Sequence, residues 1–409
     1  MTPSNGRFVC GHATHPQWAM AAGLVVAQLR AQCEQPGAVG QPNLGLVYLT
    51  DAYAPHAGSL LDHLRQALPQ VRHWCGSVGV GVCASGVEYF DEPGLVVMLC
   101  ELPADQFQVF NGLSPMGQQA PAGFQAHTAL VHADPMTPML GELIEDVAAL
   151  TQTGVLFGGL CASRQGPVQL AVNGWDQRPQ SLAHNGVFEG GITGVAFGAE
   201  VALISRVTQG CQPVGPAHRI TRAQGHVVHQ LDDQAALSVL MSELGVSLDD
   251  PERAVAQVRR TLVGVSPAPS AQTHSQGRQD FGEEVRVRHI IGLDPGQQAV
   301  AIADEVSEGM ALSFCRQDVT AARADLMRMA AELRDSLEEQ AGSQIRGAIY
   351  VSCSGRGGPH FGGASAELLA LQQALGDVPL AGFFAAGEIA HSRIHGYTGV
   401  LTVFTTGDA

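Results

Sequence analysis

RGAIYVSCSGRGGPHFGGASAELLALQQALGDVPLAGFFAAGEIAHSRIHGYTGVLTVF, residues 346–404, reads as one complete folding unit. It opens on a short apolar strand and passes through a glycine-rich loop. ASAELLALQQAL continues as a helix, with Leu368, Leu371 and Leu375 aligned on one side. PLAGFFAAGEIAHS follows as a glycine-rich strand, and GYTGVLTVF closes the unit as a strand rich in glycine and valine.

The same order occurs twice upstream. Between Leu44 and Leu102, the strand LGLVYLT and the loop DAYAPHAG precede the helix SLLDHLRQAL, with Leu60, Leu61, Leu64 and Leu68 on one face. HWCGSVGVGVCASG and GLVVMLCEL complete that copy. Between Leu130 and Phe197, the loop VHADPMTP precedes the helix MLGELIEDVAAL, which places Met139, Leu140, Leu143, Val147 and Leu150 on one side. TGVLFGGLCASRQG and GVFEGGITGVAFG then close it. Glycines recur at the same place after each helix, which marks a repeat rather than ordinary alternation of strands and helices. The pattern predicts an α/β protein of two domains, built from repeated strand–helix–strand units with mixed sheets.

A different region separates the second and third copies. Asp232 to Leu244 reads as a helix capped by its Asp pair, with Leu237, Leu240, Met241 and Leu244 on one face. Residues 266–284 are polar and rich in Pro, Gly and Ser, as expected of a mobile loop. VRVRHIIGLD and QAVAIADEV form an antiparallel strand pair around Asp294-Pro295-Gly296. Thr320 to Ala341 reads as a long helix. Gly, Pro and polar residues cluster between Gly210 and Gly225. The expected division is therefore a helical lead-in at 1–36, a first domain at 37–215 and a second at 216–409.

Composition narrows the chemistry. The 409 residues are 45% hydrophobic and 15% charged, a balance that favours a packed core over disorder. A formal net charge of −16 leaves no basic surface for nucleic acid or for an anionic membrane. All 22 basic residues are arginine, so neither a Schiff-base lysine nor a phosphate-loop lysine exists. Nine cysteines are scattered singly with no Cys-x-x-Cys, which fits a reducing cytoplasm rather than a disulfide framework or a zinc ribbon. Neither a signal peptide nor a membrane-spanning run is expected.

Candidate site residues gather in the third copy. In the loop Cys353-Ser354-Gly355-Arg356-Gly357-Gly358, glycines let backbone amides approach a guest. The following helix adds its positive end, and Arg356 adds a fork of donors, a combination suited to a carboxylate. Glu388 after the glycine-rich strand supplies a receptor for an ammonium, so the two together would make an amino-acid-shaped site; the alternative is that they salt-bridge each other. Tyr397 and Thr398 open the next strand at the same mouth. His391 and His395, four apart, are candidate metal or haem ligands. Cys353 is a candidate nucleophile, but no Gly-x-Ser-x-Gly, His-Glu-x-x-His or paired-carboxylate signature accompanies it. No cofactor is predicted from these residues, and the chain is not expected to be an enzyme.

RITRAQGHVVHQLDDQAAL at 219–237, VRVRHIIGLD at 285–294, AIYVSCSGRG at 348–357 and PLAGFFAAGEIAHSRIHGYTGVLTVF at 379–404 together resemble the C-terminal domain of the FIST family. LGLVYLTDAYA and WCGSVGVGVCASG resemble its N-terminal domain. The resemblance implies a cytoplasmic sensory module that binds a small ligand such as an amino acid and signals through a partner protein in trans. A haem-based nitric-oxide sensor is the alternative it offers.

Overall fold

The structure, a computed structural model, describes residues 8–35, 40–175, 185–247, 250–267, 285–340 and 343–406. Most of the loop expected at 266–284 lies outside the described residues.

Strand β1 (Phe8–Ala13) and helix α1 (Trp18–Cys33) lead into β2 (Leu44–Thr50), α2 (Ala57–Ala67), β3 (His73–Gly79), β4 (Gly81–Ala84), β5 (Val87–Phe90) and β6 (Leu95–Cys100). The lead-in thus contains a strand that sequence periodicity did not single out. The second copy comprises β7 (Phe107–Phe110), β8 (Thr128–Ala133), α3 (Leu140–Ala149), β9 (Leu156–Leu160), β10 (Gln169–Val172), β11 (Val187–Phe188) and β12 (Ile192–Phe197). After β13 (Leu203–Gln209) come β14 (Cys211–Pro213), β15 (His218–Gln224), β16 (Val227–Leu231), β17 (Gln234–Ala235), α4 (Ala236–Leu244) and α5 (Pro251–Val258). They are followed by β18 (Leu262–Ser266), β19 (Arg286–Asp294), β20 (Ala299–Ile302) and β21 (Ala311–Gln317). Helix α6 (Val319–Glu339) then leads into the third copy: β22 (Ile345–Cys353), α7 (Ala366–Leu375), β23 (Leu380–Ala385), β24 (Glu388–His391), β25 (Arg393–His395) and β26 (Thr398–Thr405).

The three copies share one topology. In each, the first strand runs parallel to the second and antiparallel to the closing strand: β2 with β3 and β6, β8 with β9 and β12, β22 with β23 and β26. The strand pair between second and closing strands leaves its own copy. β4 of the first pairs with β23 of the third, β10 of the second with β3 of the first, and β24 of the third with β9 of the second. The result is three six-stranded sheets, each completed by a neighbour's strands. Their inner faces share one apolar core, including Tyr48, Phe157, Phe197, Phe383 and Phe404. Helices α1 and α2 cover the outer face of the first sheet, and α3 covers that of the second.

One glycine per copy permits this packing. Gly76, Gly158 and Gly382 stand in register opposite Val47, Val131 and Tyr350 on the parallel partner strand. A Cβ at any of them would lie on the facing carbonyl oxygen.

Two compact units result. One contains residues 1–208, 326–394 and 398–409; the other contains 209–325 with 395–397. The division at 37–215 and 216–409 drawn from the sequence cuts across this grouping, because β22 to β26 complete sheets with strands of the first 208 residues. The second unit is antiparallel: β21, β15, β16, β20, β19 and β18 pair in that order, and β18 pairs back with β21 to close a barrel. Ile220, Leu237, Leu240, Val263, Val300 and Phe314 fill it. The expected β19–β20 pair is present, but Asp232 does not cap the helix that follows. It sits in a turn with φ 48°, accepting from His218 Nδ1 at 2.7 Å and from the Arg219 amide at 2.9 Å.

Gly76→Ala, Gly158→Ala and Gly382→Ala are each expected to lose about 3 kcal/mol or more in urea unfolding, because backbone rather than a flexible side chain must yield. Gly23→Ala, on the exposed side of α1 with no atom near its added methyl, should instead gain roughly 0.5–1 kcal/mol.

Candidate functional site

The loop after β22 is two short 3-10 turns, Ser354–Arg356 and Gly358–Phe361, running into α7. Arg356 is turned inward and is 1% exposed. Its ion-pair partner is Glu367 in the first turn of α7, with Nε 3.0 Å from Oε1. Tyr350 Oη donates to the same oxygen at 2.7 Å, and Ser352 Oγ donates to Oε2 at 3.0 Å. The guanidinium also lies 5.0 Å from the centre of the Phe361 ring. A buried arginine requires a counter-charge, and an acid in a helix's first turn is favoured by the helix dipole.

The start of α7 also meets an anion, and it comes from the protein. Glu88, on β5 of the first copy, takes the Ser365 amide on Oε1 at 3.0 Å, and its own amide donates to Ser365 Oγ at 3.0 Å. Burial raises the Glu88 carboxyl above its ordinary value, with Glu367 adding to the rise, while the Ser365 and Gly358 amides pull it back. Thus Arg356, offered from sequence to a ligand carboxylate, holds the protein's own Glu367, and the Gly358 and Ser365 amides hold Glu88. Neither acid was singled out from sequence. Glu367 had a signal: it adjoins Leu368 on the buried face of α7, and a carboxylate there demands a cation. Glu88 had none, since it arrives through strand exchange from 277 residues away.

The remaining candidates separate. Cys353 is buried, Ser354 half-buried and Gly355 exposed. A Cβ on Gly357 would strike the Phe90 ring, so that glycine serves packing. Tyr397 falls in the barrel unit and pairs its hydroxyl with His289 Nε2 at 2.6 Å. His391 stands exposed at the end of β24 with φ 56°, while His395 is buried and grouped with the barrel unit. Among the described residues, no group of three or more His, Cys, Asp or Glu side chains is arranged to hold a metal ion.

Glu388 and Thr398 do come together. Glu388 is 0% exposed, and its Oε2 accepts from the Thr398 amide at 3.1 Å and from Thr398 Oγ1 at 2.6 Å. Among the described residues, no donor at hydrogen-bonding distance reaches Oε1. Burial pushes this carboxyl from 4.5 up to about 8, against the opposing pull of Thr398, Arg356 and the Cys353 thiol. The equivalent position in the second copy is Gln169. Both face the second strand of a sheet in the same register, Glu388 opposite Gly159 and Gln169 opposite Ser77. Gln169 donates to the carbonyls of Gly190 and Gly191 just before its closing strand, where Glu388 accepts at the start of β26.

The FIST N domain matches residues 43–234, and the FIST C domain matches residues 236–391. The chain belongs to the FIST family. FIST domains are linked to small-ligand binding in signal transduction. The boundary between the two matches falls inside the barrel unit, so each FIST domain spans parts of both compact units. The chain is similar to a protein of Mycobacterium tuberculosis, 29% identical over 97% of this chain and 99% of that protein. It is also similar to one of Mycobacterium bovis, 27% identical over 97% and 98% respectively. Both relatives are described only as uncharacterized proteins. No helix among the described residues is long and apolar enough to cross a membrane.

Arg356→Met and Glu367→Gln are each expected to lose roughly 3–5 kcal/mol of stability, because each strands a buried partner. Arg356→Met combined with Glu367→Leu should lose clearly less than the sum, as read by a double-mutant cycle in urea.

Proposed function

We propose that this FIST protein is a cytoplasmic sensor that binds a small polar metabolite at Glu388 and signals through a partner protein. The observation that carries the reading is the Glu388 carboxyl, fully buried, with Oε2 held by the Thr398 amide and hydroxyl, the Cys353 thiol close by, and Oε1 without a partner at hydrogen-bonding distance among the described residues. A buried polar oxygen without a partner is unfavourable by about 1–3 kcal/mol, and a cationic guest that displaces the Glu388 proton and donates in its place recovers that loss. An ammonium, as on an amino acid or amine, is the matching donor. The carboxylate of an amino-acid guest would have to find donors other than Arg356 and the Gly358 and Ser365 amides, which Glu367 and Glu88 already occupy. Because Glu388 is sealed, a guest reaches it only when the surrounding chain moves, and a guest that stabilises the moved state shifts its population.

An enzymatic role fits the side chains less well. Cys75 Sγ lies 3.5 Å from His132 Nδ1, the arrangement of a thiol and its base. Burial pushes the thiol up and the imidazole down to about 3, so the pair stays neutral rather than forming a thiolate. The nine cysteines, free where described, suit a reducing compartment.

The test is a thermal-shift screen of the twenty amino acids and their decarboxylated amines, alongside native mass spectrometry of freshly purified protein. At a hundredfold excess over Kd, a true guest adds about 2.7 kcal/mol, and Glu388→Gln should abolish that gain. A guest whose effect survives Glu388→Gln would refute the site. A co-purified haem with a Soret band would move the reading to a gas sensor.

Glu388 also predicts a pH dependence. Between 4.5 and about 8 the folded chain keeps a proton that the unfolded chain has released, so stability falls as pH rises through this window and levels off above it. The difference between wild type and Glu388→Gln, measured by thermal melts from pH 5 to 9, should show that slope only in the wild type.

A further inference from the structure

Repetition exposes a gap in the helical cover. In the first copy, α1 lies between edge strand β1 and first strand β2 in chain order. It packs beside α2: Trp18 sits 6.1 Å from His56 and 6.3 Å from His63, centre to centre, and Arg30 donates to the Ala67 carbonyl at 2.7 Å. In the third copy, α6 holds the same place between β13 and β22, with Arg206 reaching Ser336 at 2.8 Å. The second copy has no such helix. The described residues between Phe110 and Thr128 form turns, which hold β7 and pack Met116, Phe124 and the buried Ala126 into the cluster under α3, leaving the two ends of the helix without cover. Gln108 donates to the Pro115 carbonyl at 3.3 Å and accepts from the Gly117 amide at 2.9 Å.

Helix α3 is apolar over more of its surface than the sheet covers. Leu140, Ile144 and Ala148 are buried against the second sheet. Leu143 and Val147, at i and i+4, form a second stripe alongside, flanked at the helix ends by the N-cap Met139, with φ 53°, and the C-cap Leu150. Sequence periodicity placed these residues with Leu140 on a core-facing side. In the structure Leu143 and Val147 are only partly buried, Met139 is 69% exposed and Leu150 61%, with Met136 at 80% just before the helix. Glu142, Glu145 and Asp146 occupy the rest of the helix surface, and α3 contains no basic residue.

We propose that the Met139–Leu143–Val147–Leu150 surface docks an amphipathic helix of a partner protein, with basic residues flanking the partner's apolar face. The acidic border selects the charge of the partner. A second copy of this chain is the poorer occupant, since two α3 helices would bring Glu142, Glu145 and Asp146 against each other on chains of net charge −16. The surface also has a route to the candidate sensing residue: Ile389, next to Glu388 on β24, is buried in the cluster beneath α3 with Leu140 and Ile144. Docking itself does not depend on the ligand reading, and the two fail separately.

The experiment uses the full chain and two stapled sixteen-residue helices, identical in a leucine face and differing in arginine or glutamate on the other face, followed by fluorescence anisotropy. The arginine peptide should bind at least about tenfold tighter than the glutamate peptide, more so at low salt. Met139→Ser with Leu150→Ser should weaken it by about tenfold or more, with thermal melts unchanged because both positions are exposed. Equal binding of the two peptides, or binding that survives the double substitution, would overturn the proposal. So would a dimer that the same substitutions dissociate.

Discussion

Everything in the larger unit depends on strand exchange among three sheets. No copy of the strand–helix–strand unit completes its own sheet; each borrows a strand pair that starts in another copy. Exchange covers the strand edge that a separate copy would leave open, and it ties the inner faces into one core. Separate domains of this length would need three small cores, each with a poorer ratio of buried to exposed surface. The constraint explains the glycines at 76, 158 and 382, where backbone meets backbone across the parallel pairs. It also explains why residues on either side of the barrel insertion, 1–208 and 326–409, belong to one compact body.

The same exchange creates the polar interior of the third copy. Strand β5 brings Glu88 to the turn after β22, and α7 brings Glu367 to Arg356. Arg356 and the Gly358 amide are therefore paired from within, and Gly357 makes room for the Phe90 ring. Glu388 has a different status. One carboxylate oxygen is held and the other is not, in surroundings that favour the proton over the charge. Such a group destabilises the closed form and gives a polar guest something to relieve, which is why it carries the functional reading.

Pseudo-symmetry also shows what is missing. Two copies carry a helix between edge strand and first strand, and the second carries turns instead, which leave Met139 and Leu150 at the ends of α3 exposed. Because β24 bears Glu388 on one face and Ile389 on the other, a single strand touches both the candidate sensing group and the core under that helix.

Periodicity and composition sufficed for the three repeats, the α/β class, the glycine positions and the exclusion of lysine chemistry. These are local properties: spacing of leucines along a helix, alternation along a strand, and the absence of one residue type. Only the tertiary structure decided where each strand pair goes, that the described strands between 209 and 325 close a barrel, and that Glu367 pairs Arg356 while Glu88 takes the Ser365 amide. It also left Met139 and Leu150, at the caps of α3, exposed while Leu140 is buried and Leu143 and Val147 are half-covered. The physical reason is that an apolar pattern states which residues seek cover, whereas the covering partner is chosen by contacts hundreds of residues apart, which no local spacing encodes.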